Sequence, residues 1–344
     1  MENEWLNKKN YINNSNDQLA RKTNDVIVIS KQISREFDIY EIPFFECDFD
    51  TIYPSIASIL PKEAVSFSEL SFENSIACEV VCAAICHQIN WDFLRRTILA
   101  KTMRDECWMA GERLGNISEE DVDELFMNYK KPERIRAKER CEILHEVGKL
   151  ICNVGNYQRL FLDKDENLLP IELIRNRLLD CTVFSKDPKE KKLQLLLQKL
   201  SNYDRLRKLS AYCKPAIDYH LIRCYLRRGL LRPKTTYAEE YLKDSTTERK
   251  ETTVGALRHL CSKLLEDIAW YTELDIRTVN SIEWNIGRAV CTQDNPDCFL
   301  ETDDTIWLKE KYVRCPFYKN CMARQNEENG LLHINEPEYK GTSY

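Results

Sequence analysis

Apolar residues recur along this chain mostly at steps of three and four, the period of a helix with one buried face. Residues 74–88 place Ile76, Val80, Ala83, Ala84 and His87 on that pattern, with Cys78, Cys82 and Cys86 one turn apart on one face. Asn24-Asp25 would cap a helix from Val26, and Thr102 to Met109 is expected to continue a helical hairpin. Ser118 followed by Glu119, Glu120 and Asp121 predicts a helix start, because the macrodipole favours acids in the first turn. Pro132 opens a further segment with Ile143, Leu144, Val147, Leu150 and Ile151 as its stripe and Gly155 as its stop. Pro188 predicts the start of a helix that buries Leu193, Leu196, Leu197 and Leu200. Leu257, Leu260, Cys261, Leu264, Leu265 and Ile268 form another stripe, and Asp275 is expected to cap a helix bearing Val279, Ile282 and Ile286. Strand-like alternation is scarce. The pattern predicts an all-α protein of roughly ten or more helices.

The polar stretches 162–170 and 233–253 read as joints. The expected division is an N-terminal helical extension over 1–65, a helical lobe over 66–185, a C-terminal lobe over 186–324 and a loose tail over 325–344.

Composition narrows the class. The chain has 344 residues, 15 Cys, 9 Gly and a net charge of −6. No apolar run approaches the roughly 18 residues that span a membrane, and MENEWLNKKN lacks the apolar stretch of a signal peptide. Reduced thiols in a cytoplasmic or nuclear, intracellular setting are therefore expected, in a monomer without a membrane partner. There is no G-x-G-x-x-G and no G-x-x-x-x-G-K-[ST], which argues against a dinucleotide fold or a P-loop. The charge is uneven. Residues 186–234 hold 14 Lys or Arg against 4 Asp or Glu, a net +10 that leaves −16 for the rest. Such a block can form a phosphate-attracting face, or simply a solvated pair of helices.

Two motifs carry chemistry. Cys291, Cys298, Cys315 and Cys321 follow C-x6-C-x16-C-x5-C, and Trp284-Asn285-Ile286-Gly287-Arg288 leads into the first of them. Four thiolates in a short segment can hold an iron–sulfur cluster or a structural zinc, with plain buried thiols as the third option. Cys78, Cys82 and Cys86 read as core packing, since a free Cys behaves as a small hydrophobe. The second motif is Pro215-Ala216-Ile217-Asp218-Tyr219-His220-Leu221-Ile222-Arg223, continuing to Arg227-Arg228-Gly229. An Asp at that place is either a helix cap or a functional carboxylate.

Together these motifs resemble the helix-hairpin-helix DNA glycosylases of the endonuclease III and MutY type. Their cluster loop reads G-R-x-x-C-x6-C-x2-C-x5-C, and their active-site segment V-D-T-H-V-x-R-V-x-x-R-x-G. Gly287-Arg288 and the outer spacings match, in the same order along the chain. The middle spacing carries 14 extra residues, which cost little in loop-closure entropy. The resemblance implies a two-lobed helical fold, Asp218 as the catalytic carboxylate and a [4Fe–4S] cluster on the four Cys, with zinc as the alternative. It implies double-stranded DNA as partner and excision of a damaged or modified base flipped into a pocket. The family's Gly-rich hairpin before the Asp is missing, and so is a Lys in the bifunctional position. That argues against Schiff-base lyase chemistry.

The body also resembles the queuosine salvage N-glycosidases. Thr23-Asn24-Asp25-Val26, Cys82-Ala83-Ala84 with His87, Arg140 to Leu150, and Asp218-Tyr219-His220 match their segments in order. That likeness implies a small nucleotide or nucleoside as the alternative substrate. A non-catalytic nucleic-acid-binding scaffold is the third reading. For the substrate or DNA surface the expected residues are Trp91, His87, Tyr219, Arg223, Arg227, Arg228 and Lys214. Trp91 reads equally as core, and His220 as structural.

Overall fold

The computed structural model describes residues 37–39, 47–187, 189–233 and 251–325. Ten α-helices of seven residues or more occur among them. They are α1 (Phe49–Ala57), α2 (Phe72–Ile85), α3 (Trp91–Arg104), α4 (Glu119–Leu125), α5 (Ala137–Val154), α6 (Ile171–Leu179), α7 (Lys191–Leu200), α8 (Tyr219–Arg228), α9 (Glu251–Tyr271) and α10 (Ile276–Asn285). The only paired strands among the described residues are β1 (Phe37–Ile39) and β2 (Leu231–Pro233), which run antiparallel. The all-α expectation is met. No described helix is long and apolar enough to cross a membrane.

The chain forms two compact units. The first holds the described residues of Met1–Ser55, Ile217–Glu273 and Ile282–Tyr339; the second holds Ile56–Ala216 and Leu274–Ser281.

The second unit is built around α2. Its residues from Ser75 to Ile85 are all buried, as expected of a helix apolar on every side. α3, α5 and α7 pack against it. Cys78 and Cys82 are fully buried there, with burial pushing the Cys78 thiol up to about 12, so they are core thiols. The sequence signals for α4 and α5 hold. Ser118 and Asp121 form a reciprocal capping box, and Gly155 ends α5 with φ +99°. Gly148 is required by packing: a Cβ there would lie 2.5 Å from the backbone nitrogen of Gly115.

Some expectations shift. α3 stops at Arg104 instead of running to Met109, because Asp105 turns extended and accepts from Arg113 and the Cys107 amide. The 162–170 stretch is a tight turn inside the second unit, closed by a Leu162–Leu168 bridge. α7 begins at Lys191, after Glu190 at φ 52°. Pro188, the Asn24-Asp25 cap, residues 234–250 of the second joint and residues 326–344 of the tail lie outside the described residues.

Candidate functional site

In the first unit the sequence Ile286–Val290 winds as a π turn, and the Cys291 amide closes it on the Ile286 carbonyl at 2.7 Å. Gly287 is required here. A Cβ at this position would stand 2.8 Å from the Cβ of His220 and 2.9 Å from its carbonyl oxygen, so the turn reaches α8 only without a side chain. The 14-residue insertion does not separate the second and third cysteines, since the Cys315 amide donates to the Cys298 carbonyl at 2.9 Å. Asp297 organises the insertion: its carboxylate accepts from the Glu301 and Thr302 amides and from the hydroxyls of Thr302 and Thr305.

All four cysteines line one cavity, together with Cys224, Phe317 and three arginines, Arg227, Arg228 and Arg324. Cys321 donates through its thiol to the Arg227 carbonyl at 3.5 Å, and the Arg324 amide donates to the Cys321 carbonyl at 3.1 Å. Cys291 takes the Cys224 thiol and the Arg227 guanidinium, whose Nη1 lies 3.6 Å away. The hydrogen bond from Cys224 pulls the Cys291 thiol down to about 5 against its burial, with Arg227 and Arg223 adding to the pull. Burial pushes Cys298 up to about 11 and raises Cys315 and Cys321 as well, and each feels the negative charge of the others. Among the described residues no three His, Cys, Asp or Glu side chains are set to hold a single ion.

Asp218 is the N-cap of α8. Its Oδ1 accepts the His220 and Leu221 amides at 2.9 and 3.3 Å, while Oδ2 has no hydrogen-bond partner among the described residues. The residues after it run straight to the cysteine segment. Arg223 donates to His220 Nδ1 at 2.8 Å, to the Gly287 carbonyl at 2.9 Å and to the Cys291 carbonyl at 2.7 Å. Arg227 donates to the carbonyls of Thr292 and Gln293 at 2.7 and 2.8 Å. Arg228 pairs with Glu283 at 2.5 Å and stacks over Phe317. The structure thus gives the three arginines a different task from the expected phosphate contact. They are 2%, 1% and 6% exposed and hold the fold inward. The basic block is in part an internal clamp, because a charge count does not say which way a guanidinium faces. The Tyr219 ring lies tilted by 42° against that of His220, with ring centroids 4.2 Å apart.

The remaining expected site residues belong to the second unit. Trp91 is half-buried at the start of α3, between Arg95 and Lys199, whose charged groups lie 5.3 and 5.5 Å from its ring. His87 is buried, with Nδ1 3.5 Å from Lys192 Nζ and Nε2 without a hydrogen-bond partner. Burial, with Lys192 and Arg140 close by, keeps His87 well below its ordinary pKa and therefore neutral. Lys214 has an exposed side chain, and its backbone is held by Gln194 and Gln198.

The structure adds residues that the motifs did not single out: Cys224, Glu283, Tyr53 and Phe317. Glu283 had a signal. It falls beside Val279, Ile282 and Ile286 on the apolar face of α10, where an acid must be paired. No protein-family model matches the chain, and no curated protein matches it.

Proposed function

We propose that the chain is a monofunctional N-glycosylase that hydrolyses a base–sugar bond in double-stranded DNA. Asp218 is its catalytic carboxylate, and Cys291, Cys298, Cys315 and Cys321 hold a [4Fe–4S] cluster. The observation that carries this reading is the hydrogen-bonded run from Asp218 through His220 and Arg223 to Cys291. It ties the one carboxylate with a spare oxygen in the motif to the four-thiol cavity.

The chemistry follows from that placement. As the base departs, positive charge develops on the sugar. Asp218 keeps its backbone bonds on Oδ1 and offers Oδ2 to that charge, or to the proton of the attacking water. The cluster, when bound, supplies a rigid cross-link of four chain positions and a redox-active centre. A small nucleotide is the second reading, favoured by the inward-facing Arg223, Arg227 and Arg228, which leave fewer cations for a DNA backbone.

Mass spectrometry of bases released from a panel of modified duplexes and free nucleotides tests both readings. Asp218→Asn should reduce release by about 10²–10⁴-fold without unfolding the protein, since Asn also caps helices well. Unchanged release by this variant would refute the assignment. Weak, salt-insensitive duplex binding together with nucleotide cleavage would select the second reading.

A further inference from the structure

The glycosylase pattern has only two residues between its second and third cysteines, so most of the segment 299–314 has no counterpart there. Phe299 and Val313, near its two ends, are 42% and 89% exposed. Charge is segregated along it. Residues 309–324 hold Lys309, Lys311, Arg314, Lys319 and Arg324 against Glu310, a net +4, while the acids Glu301, Asp303 and Asp304 all precede them. Two of these cations are held in place by rings. The Arg314 guanidinium lies 5.3 Å from the Phe299 ring centre and 4.9 Å from that of Tyr318, and Arg324 lies 5.1 and 5.4 Å from the same two. Phe299 and Tyr318 stand 5.7 Å apart, and Arg324 Nε donates to the Tyr318 hydroxyl at 3.1 Å. Lys309, Arg314 and Lys319 are exposed, and none of the three meets a carboxylate among the described residues.

We propose that this cationic face, built from Lys309, Arg314, Lys319 and Arg324, is a docking surface for the phosphate backbone of duplex DNA. The inference rests on the double-stranded DNA reading made above and is independent of what the four cysteines hold. Arg223, Arg227 and Arg228 face inward, so the phosphate contacts expected of them fall to other cations. A guanidinium laid against a ring keeps its charge, and the ring fixes its position before any ligand arrives. Its planar fork of donors matches two oxygens of one phosphate. Contacts of this kind position a duplex without reading its sequence. Val313, next to Arg314 in the chain, offers an apolar partner to the deoxyribose rings between the phosphates.

The test is fluorescence anisotropy of a labelled duplex with the full chain, repeated across a salt series. The triple variant Lys309→Gln, Arg314→Gln, Lys319→Gln should lower the slope of log affinity against log salt by about 2–3 and weaken binding about 10²-fold at about 0.1 M salt, whatever the duplex sequence. The matched variant Lys62→Gln, Lys101→Gln, Lys138→Gln removes three exposed lysines of the other unit and should leave the slope unchanged. On the unaltered protein, bound duplex should shield Lys309 and Lys319 from amine acylation read by mass spectrometry, so the test survives a poorly folding variant. An unchanged slope in the first variant, an equal loss in the second, or equal acylation with and without duplex would overturn this surface and leave the DNA reading standing. Tighter binding of a single strand than of the duplex would overturn the duplex as the partner of this surface. Wild-type protein without salt-sensitive duplex binding would overturn this proposal and the double-stranded DNA reading together.

Discussion

Replacing Glu283 by Ala tests how the first unit handles buried charge. Glu283 is fully buried, and both carboxylate oxygens are used: Oε2 meets Arg228 Nη2 at 2.5 Å and Oε1 takes the Tyr53 hydroxyl. Arg228 is buried as well and also donates to the Tyr53 hydroxyl oxygen at 3.2 Å. Deleting the carboxylate leaves a guanidinium in an apolar setting beside Phe317 and strands the Tyr53 hydroxyl. An uncompensated buried charge costs about 3–5 kcal/mol, and the unsatisfied hydroxyl accounts for about 1–3 kcal/mol of such a loss. Equilibrium urea unfolding followed by circular dichroism should therefore show Glu283→Ala less stable by about 3–5 kcal/mol. Replacing both partners by Met should cost less, about 1–3 kcal/mol, because desolvation offsets most of the attraction in a buried pair and chiefly the stranded Tyr53 hydroxyl remains. The reasoning fails if the single variant loses under about 1 kcal/mol, or if the double variant is as unstable as the single one.

Three further outcomes are expected. Gly287→Ala should cost about 1–3 kcal/mol, because its Cβ meets the Cβ and carbonyl oxygen of His220; wild-type stability in urea unfolding would contradict this. Lys192 is buried and held at about 8 rather than 10.5 by desolvation, so its charge opposes folding below pH 8 and that penalty fades up to about pH 10.5. Lys192→Met should accordingly gain most over wild type near neutral pH, and the gain measured by denaturation should shrink between pH 8 and 10.5. Asp297→Ala removes the acceptor of four hydrogen bonds, so hydrogen exchange over residues 299–314 should accelerate while α8 stays protected.

The helices were legible because their signals are local. The capping box at Ser118, the stop at Gly155 and the Asp275 cap, which accepts the Thr278 amide at 3.1 Å, depend on residues within a turn of one another. The four-thiol cavity was legible as a spacing. The α3 terminus was not, because Asp105 is claimed by Arg113, eight residues on. Arg223 and Arg227 were misjudged for a related reason: their distant partners are main-chain carbonyls more than 60 residues downstream, which no local pattern announces. Cys224 was invisible because nothing in its own helix separates a packing thiol from one facing a cavity.

The clamp formed by Arg223 and Arg227 grips backbone oxygens at Gly287, Cys291, Thr292 and Gln293 rather than their side chains. A carbonyl is present whatever residue carries it. The identities of Thr292 and Gln293 are therefore free to drift without loosening the grip, whereas neither arginine can be exchanged even for lysine, which lacks the planar fork of donors. Mutational tolerance in this region should be sharply one-sided: broad on the loop that is held, narrow on the helix that holds it.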